Sequence, residues 1–258
     1  MRPKIDFRQC EAIPFLESLE GNSLRAIITD PPYDASKGSS FTGDYNTIKE
    51  AWDDLPDPLW IELAYAKLMP GGSLVSCGSI HNALYLLEYA RNAGFRSVPH
   101  QKIVWVKVSV APARRKRLTY QHEDIWWWVK PGAPYTFNPC YDGRGRKVTD
   151  VWLIQKTSPR EKLYDTNREA LHPTQKPQEL GRRLVEIFTG PGDMVCDCFA
   201  GTGTFLYMAA RLGRTPIGCE SDDKYYEPAL ARIERGISES KHRRVEASGN
   251  GRQVVSLL

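Results

Sequence analysis

Two spacings of apolar residues take turns along the chain, one typical of strands and one typical of helices. The runs LRAIIT (24–29), MVCDCF (194–199) and TPIGCE (215–220) are short and β-rich, whereas the segments between the strands repeat apolar residues at helical spacing. Strands that alternate with helices favour a mostly parallel sheet covered on both faces, the doubly wound α/β architecture. Helices are predicted at 10–21, 55–69, 81–94, 177–190, 205–213 and 224–238.

Two β-rich runs, KIVWVKVSV (102–110) and DIWWWVK (124–130), follow each other without a helix, which predicts an antiparallel pair at one edge of the sheet. Since a strand alternates its faces, one or two of the tryptophans 126–128 should be buried in the core. Residues 34–47 are rich in Ser, Gly and Thr, and we expect them to form a loop that closes over a substrate. The polar tail 239–258 is expected to be disordered.

Composition narrows the class of protein only moderately. A chain of 258 residues with 41% hydrophobic residues can bury roughly 70–75% of its unfolded surface in one domain. The formal net charge of +4 permits a polyanionic partner without requiring one. No apolar run reaches the roughly 20 residues of a membrane helix, and we see no signal peptide. The chain has six cysteines, of which only Cys196 and Cys198 are closely spaced. This pattern favours reduced thiols in a cytoplasmic protein and argues against a metal site.

An acid, two prolines and an aromatic residue, Asp30-Pro31-Pro32-Tyr33, follow the first β-rich run. A nucleobase amino group is a weak nucleophile because its lone pair is delocalised into the ring. If Asp30 and the Pro31 carbonyl each accept one N–H of that group, its lone pair can point at an electrophile. The prolines stiffen the turn, and Tyr33 offers a stacking face worth roughly 1–3 kcal/mol per base. The plainer alternative is a proline strand stop with a surface tyrosine.

A second strand end carries Asp197, followed by Gly201 and Gly203 at the start of a helix, and Glu220 ends the next strand. Glycines let the backbone approach a ligand, and an acid about 20 residues further on suits the hydroxyls of a ribose. No Gly-Lys-Ser/Thr follows the glycines and a full Gly-x-Gly-x-x-Gly is missing. The pattern therefore predicts a nucleoside-like ligand without a pyrophosphate, with a simple tight connection as the alternative.

With these motifs the sequence resembles the amino-group DNA methyltransferases that use S-adenosylmethionine, over residues 8–235. The tetrapeptide 30–33 is similar to the family's catalytic motif, DCFAGTGT (197–204) to its cofactor loop, and HPTQKP (172–177) to the segment that cradles the methionine part. The catalytic motif precedes the cofactor motif, an order that resembles the circularly permuted β class. The aspartate form of the tetrapeptide is similar to adenine-N6 enzymes, whereas cytosine-N4 enzymes more often carry serine there.

The resemblance implies a Rossmann-like fold with a seven-stranded sheet and one antiparallel edge strand. It also implies methyl transfer from S-adenosylmethionine to the N6 amino group of a flipped adenine in double-stranded DNA. Asp30, Pro31, Pro32 and Tyr33 would be catalytic. Glu220 would bind the ribose, and Thr174 and Lys176 would meet the methionine end. The full set of implied cofactor residues is Gln9, His172, Thr174, Lys176, Asp197, Phe199, Ala200, Gly201, Thr202, Gly203 and Glu220.

PGG at 70–72 and HE at 122–123 also fall where the family has them, but two features depart from its pattern. Members often have Gly-Asp where this chain reads Arg8-Gln9-Cys10, so that Gln9 would have to contact the adenine of the cofactor. The target-recognition insert, 131–171, is short, which leaves a short recognition site, a partner or dimerisation open. We expect one catalytic domain, 1–238, in which the insert separates a catalytic half, 1–130, from a cofactor half, 172–238.

Basic clusters are candidate DNA contacts, with solvated loops as the equal alternative. They contain Arg114, Arg115, Lys116, Arg117, Arg144 and Arg146. Double-stranded DNA is the predicted partner, and a second copy of the chain and a cognate restriction endonuclease stay open as further partners of this prokaryotic or phage protein. A cytosine-N4 enzyme is the nearest alternative function, and a DNA-binding module without catalysis is a more distant one. RNA or protein-glutamine methylation is disfavoured because those relatives usually carry Asn at the first tetrapeptide position.

Overall fold

Eight strands form one sheet in the part of the chain that the computed structural model describes, residues 5–33, 54–108, 118, 120–141 and 145–249. The strand order is β1-β8-β7-β2-β3-β5-β4-β6. The strands are β1 (Asp6–Gln9), β2 (Leu24–Thr29), β3 (Leu68–Gly78), β4 (Gln101–Lys107), β5 (His122–Val129), β6 (Val151–Ile154), β7 (Met194–Asp197) and β8 (Thr215–Glu220). The helices are α1 (Ala12–Glu17), α2 (Leu59–Lys67), α3 (Ala83–Ala93), α4 (Gln178–Phe188), α5 (Thr204–Arg211) and α6 (Asp223–Gly249).

Helices cover both faces of the sheet, which confirms the doubly wound α/β prediction. On one face α1, α2 and α3 bury Phe15, Trp60 and Leu86 in a single apolar cluster. On the other face α4 and α5 bury Leu184 and Phe205 in a second cluster, and α6 packs against α5. Strands buried on both faces read as continuous apolar runs, which is why the sequence shows them so clearly.

One strand, β5, runs antiparallel to its two neighbours, but the predicted edge position is wrong. Ser73 to Gly78 of β3 pair with β5 on one side, and Gln101 to Val106 of β4 pair with it on the other. Trp127 and Trp128 point to opposite faces and are both buried, because helices cover the sheet on each face. The antiparallel pair of β4 and β5 is confirmed, while β6 takes the edge.

The sheet has eight strands, one more than the resemblance implies, and the two strands at its ends, β1 and β6, are only four residues long. β6 comes from the predicted insert and pairs in parallel with β4, where Trp152 and Ile154 are buried. A stretch this short carries little periodicity, so the sequence did not reveal either strand. Part of the insert therefore belongs to the core of the domain.

The ends of α2 and α6 differ from the sequence prediction, whereas the end of α3 agrees with it. α2 ends at Lys67, and Pro70-Gly71-Gly72 lie within β3 rather than beyond a helix end. α3 ends as predicted at Gly94, whose φ of +111° is in the left-handed region. α6 extends to Gly249, so the predicted disordered tail is helical over 239–249. The predicted loop 34–47 and the end of the tail, 250–258, lie outside the described residues.

Two absences hold for the described ranges only. None of their helices has both the length and the apolar character that crossing a membrane takes. No three His, Cys, Asp or Glu side chains gather there in a group that could hold a metal ion.

Gly218 of β8 packs closely against the end of β7, and an added methyl group there tests this packing. The Cβ of Gly218→Ala would lie 2.2 Å from the Asp197 carbonyl oxygen and 2.7 Å from a methyl of Leu206. Overpacking of this kind costs roughly 1–3 kcal/mol of unfolding free energy. We expect a lower urea-unfolding midpoint. Gly190→Ala is the matched control, since its Cβ would meet the Asp193 carboxylate at an ordinary 3.5 Å. Equal midpoints for the two variants would contradict the close approach.

Candidate active site

Polar side chains line the edge of the sheet where the carboxyl ends of its parallel strands meet. Gln9, Glu220 and Asp197 are the last residues of β1, β8 and β7, which are neighbours in that order, and Asp30 follows the next strand, β2. Because β5 is antiparallel, its first residues lie at the same edge and bring Glu123 there. Ligands of open α/β sheets bind at this edge. We call this row of side chains the carboxyl edge.

Asp197 occupies the middle of the carboxyl edge. Its carboxylate accepts a hydrogen bond from the Thr29 hydroxyl at 2.7 Å and one from the Phe199 backbone N–H at 3.2 Å. The side chain is buried, and burial raises the pKa of Asp197 to about 7 against the lowering effect of the two donors. The bond from Thr29 ties the strand that leads to Asp30 to the strand that leads to the glycine-containing loop.

The loop from Cys198 to Gly203, the glycine loop, joins β7 to α5. Gly201 and Gly203 have φ values of +51° and +70°, a conformation that glycine adopts without strain. A Cβ on Gly203 would lie 3.1 Å from the Cβ of Ala229, so packing also requires glycine at this position. Phe199 lies edge-on against the ring of Trp60, and Ala200 and Thr202 are buried.

The Glu220 carboxylate lies beside the glycine loop. One oxygen accepts the N–H of Gly201 at 2.6 Å and the other accepts the N–H of Asp222 at 2.9 Å. Burial raises the pKa of Glu220, while these two backbone donors oppose the rise. A carboxylate oxygen can accept more than one hydrogen bond, so Glu220 can also receive hydroxyl groups. Gln9 is the register partner of Glu220 and donates to the carboxylate of Asp223.

The segment 172–177 packs against the glycine loop. The Thr174 backbone N–H donates to Nδ1 of His172 at 3.1 Å, and the imidazole packs against the ring of Tyr225. Burial, followed by the positive charges of Lys176 and Lys224, lowers the pKa of His172 to about 4. The imidazole is therefore neutral near pH 7. Because Nδ1 accepts a hydrogen bond, its proton is on Nε2, the ring atom nearest to Gly201.

Asp30 belongs to a group of charged and polar side chains that we call the Asp30 cluster: Asp30, Tyr33, Glu123, Lys107 and Lys176. The Lys176 ammonium and the Tyr33 hydroxyl donate to the two oxygens of Asp30, each at 2.5 Å. The same two donors each lie 3.4 Å from Glu123 Oε2. The Lys107 ammonium, at the end of β4, lies 2.5 Å from the other Glu123 oxygen. Carboxylates and ammonium groups thus alternate in space.

Burial is the largest single influence on the pKa values of Asp30, Tyr33, Glu123 and Lys176. It raises the pKa of Asp30, against the lowering effect of Lys176 and with a further raising effect of Glu123. For Glu123 burial is outweighed by Lys176 and Lys107, so its pKa is lowered. Burial would lower the pKa of Lys176, but the charges of Asp30 and Glu123 raise it above its ordinary value. Lys176 therefore carries its positive charge at neutral pH.

The tetrapeptide presents its groups on one turn. Pro31 is buried, Pro32 and Tyr33 are half-buried, and the Tyr33 ring packs against the apolar cluster under α4 and α5. The Lys176 ammonium lies 5.3 Å from the centre of that ring. A carboxylate, a stiff backbone and an aromatic ring are thereby held together at the carboxyl edge.

The predicted catalytic and cofactor residues gather at the carboxyl edge and in the loops around it. Lys176 reaches Asp30 and Glu123, a contact that the sequence did not predict, and its contact with a methionine end stays a prediction. Arg146 is exposed. The other candidate DNA contacts, Arg114, Arg115, Lys116, Arg117 and Arg144, lie outside the described residues.

Sequence reasoning missed Thr29, Glu123 and Lys107 as members of the site. The resemblance includes the pair His122-Glu123 but assigns neither residue a role. A usable signal existed for Glu123, since the first residue pair of an antiparallel strand lies at the carboxyl edge of its parallel neighbours. Thr29 and Lys107 end their strands and carry no such mark.

Three comparisons relate the chain to known proteins, beginning with the DNA methylase family model, which matches residues 24–231. The type II methyltransferase M2.DpnII of Streptococcus pneumoniae is 31% identical over 241 residues, which cover 87% of each chain. The crystal structure of the M1.HpyAVI–SAM complex is similar with a TM-score of 0.66 at 26% identity, over 89% of this chain and 100% of that one. The cytosine-N4-specific PvuII DNA methyltransferase, at 19% identity over 92% of each chain and a TM-score of 0.66, supports the fold alone.

The raised pKa of Asp197 makes its contribution to stability depend on pH. An acid whose pKa is higher in the folded protein binds its proton more tightly there, so stability falls as pH rises from 3.8 towards about 7. Asp197→Asn cannot ionise and escapes this loss. We expect the unfolding free energy of the wild type, relative to Asp197→Asn, to decrease over that range in urea titrations. The exposed Asp150→Asn is the control. A constant difference between wild type and Asp197→Asn would refute the shift.

Proposed function

Because this chain belongs to the DNA methylase family, whose model spans residues 24–231, we propose that it methylates the N6 amino group of adenine in double-stranded DNA. S-adenosylmethionine supplies the methyl group, which its positively charged sulfur activates towards nucleophiles. The observation that carries the proposal is the juxtaposition of the Asp30 turn and the glycine loop, joined by the hydrogen bond between Thr29 and Asp197.

The residues around the glycine loop suit this methyl donor. Glu220 offers carboxylate oxygens for the two ribose hydroxyls, and Gly201 permits close approach of the backbone. The Nε2–H of neutral His172 is a donor beside the same glycine. Gln9, one strand further along the edge, is the candidate contact to the adenine ring of the donor. Phe199 adds an aromatic surface beside these polar groups.

Asp30 and Pro31 would hold the target amino group. The Asp30 carboxylate accepts one N–H and the Pro31 carbonyl accepts the other, which turns the nitrogen lone pair towards the methyl carbon. When the nitrogen–carbon bond forms, the electron pair of the carbon–sulfur bond stays on sulfur. The nitrogen then carries one proton too many, and Asp30 is the acceptor in contact with it. The aspartate form of the tetrapeptide supports adenine over cytosine as the base.

A base inside a duplex cannot reach Asp30, so the target adenine must leave the stack. Flipping costs a few kcal/mol of stacking and pairing, which a new stack on Tyr33 partly returns. We propose that Arg114–Arg117, Arg144 and Arg146 contact phosphates and that residues 131–171 carry target recognition. A second copy of the chain and a cognate endonuclease are proposed partners, and the cytoplasm is the proposed location.

Nucleoside analysis tests the reaction and the base together. We expect N6-methyladenine when the protein and isotope-labelled S-adenosylmethionine are incubated with unmethylated bacterial DNA and the digest is analysed by mass spectrometry. Asp30→Ala should yield no product while its binding of the donor, followed by calorimetry, persists. N4-methylcytosine would keep the chemistry and change the base. A wild-type protein that binds the donor but methylates neither base would overturn the proposal.

Two substitutions at Tyr33 separate stacking from hydrogen bonding. Tyr33→Ala removes the ring, and the loss of roughly 1–3 kcal/mol of stacking should lower kcat/KM for DNA by about fivefold to 150-fold. Tyr33→Phe keeps the ring and loses the hydroxyl with its bonds to Asp30 and Glu123, so it should retain most of the activity. If the Phe variant were as slow as the Ala variant, the hydroxyl rather than the ring would be the important group.

A further inference from the structure

We propose that Lys176 and Glu123 are positioning residues that control whether Asp30 is a carboxylate when the target amino group arrives. The inference rests on the proposed function, because it assigns Asp30 the role of hydrogen-bond acceptor. An aspartic acid that carries its own proton offers the amino group a weaker acceptor and cannot take up the proton that the reaction releases. The ionisation of Asp30 therefore limits the rate at low pH.

Lys176 is placed to favour the ionised form of Asp30. Its side chain is only 7% exposed, and its ammonium lies 2.5 Å from Asp30 and 3.4 Å from Glu123. A buried ammonium between two carboxylates stabilises the negative charge of both. Burial raises the pKa of Asp30, and Lys176 is the strongest of the groups that lower it.

Glu123 acts on Asp30 in the opposite direction. Its negative charge raises the pKa of Asp30, and Lys176 and Lys107 lower the pKa of Glu123 itself. Both Lys176 and the Tyr33 hydroxyl are shared between the two carboxylates, so Glu123 also competes with Asp30 for these donors. In addition to burial, the proton affinity of Asp30 thus depends on the balance between the cation Lys176 and the anion Glu123.

The groups that face Asp30 come from four neighbouring elements and its own turn. Lys176 precedes α4, Glu123 begins β5, Cys77 lies in β3 and Asp197 ends β7, while Tyr33 belongs to the same turn. Lys176 and Glu123 have the largest effects among them.

The backbone of Lys176 is fixed independently of its side chain. Its carbonyl accepts the hydroxyl of Thr204 at 3.1 Å, and the buried guanidinium of Arg232 donates to the same hydroxyl at 2.8 Å and to the Thr202 carbonyl at 3.1 Å. Thr204 begins α5 directly after the glycine loop. The residue whose ammonium contacts Asp30 therefore has its main chain held by the first residue after the glycine loop.

Opposite shifts of one pH profile test the proposal. The measurement is kcat/KM for methylation of unmethylated bacterial DNA as a function of pH, in which activity is lost as pH falls through the pKa of Asp30. Lys176→Met removes the cation, and we expect the acid limb to move to higher pH by about one unit or more. Glu123→Gln removes the anion with little change in shape, and the limb should move to lower pH. The acid limb of the double variant, Lys176→Met with Glu123→Gln, should lie between the limbs of Lys176→Met and the wild type.

The control variant is Lys102→Met. It breaks the ion pair between Lys102 of β4 and Asp124 of β5, whose charged atoms lie 3.2 Å apart, and leaves the groups around Asp30 unchanged. It should leave the acid limb where it is. A merely structural role of Lys176 and Glu123 would lower activity at every pH without moving the limb, and that result would overturn the inference. If Lys176→Met does not fold, the predicted shift of the acid limb of Glu123→Gln to lower pH still tests the proposal.

A second readout does not depend on catalysis. Carboxyl-13C NMR of aspartate-labelled protein, with Asp30→Asn to assign the signal, follows the titration of Asp30 directly. Relative to the wild type, Asp30 should titrate at higher pH in Lys176→Met and at lower pH in Glu123→Gln. A wild-type protein that forms no methylated nucleoside contradicts the proposed function. If the wild type methylates DNA but neither variant moves the acid limb or the titration of Asp30, only this inference is contradicted.

Discussion

The hydrogen bond between Thr29 and Asp197 joins the ends of two adjacent strands that come from distant parts of the chain. The glycine loop and Glu220 lie on one side of it, and Asp30 with its cluster lies on the other. Neighbouring strands are held about 4.8 Å apart by their backbone hydrogen bonds. The pairing of β2 with β7 therefore fixes the distance between the two halves of the site, whatever the loops above it do.

The two halves stabilise their acids in different ways. Asp197 and Glu220 receive hydrogen bonds from neutral donors, a hydroxyl and backbone N–H groups, and their pKa values are raised by burial. Asp30 and Glu123 are paired with ammonium groups in addition to the Tyr33 hydroxyl. Neutral donors suit the proposed role of Glu220, which is to contact the hydroxyls of an uncharged sugar, whereas ammonium partners suit the proposed role of Asp30, which requires an ionised acid. This difference matches the two tasks of the proposed reaction, which are to bind the methyl donor and to hold the target amino group.

Much of the fold could be predicted because the signals were local. Buried strands, helical spacing, the Gly94 helix end and the two strand-end motifs are each contained in a few neighbouring residues. The place of β5 could not be predicted, since it depends on its pairing with both β3 and β4, which no local signal reveals. The pair of Lys176 with Asp30 joins residues 146 positions apart and leaves no mark in either segment. Four-residue strands such as β1 and β6 are too short to show a period.

Lys176 contacts Thr204, the first residue after the glycine loop, through its carbonyl and Asp30 through its ammonium. A ligand that orders the chain around Thr204 therefore acts on the residue that also contacts Asp30, the proposed acceptor of the target amino group. Energetic coupling between two sites is reciprocal, so a methyl donor that improves the binding of DNA must itself be bound more tightly once DNA is present. One residue with its main chain in one half of the site and its side chain in the other is a direct physical route for such cooperativity between the two substrates.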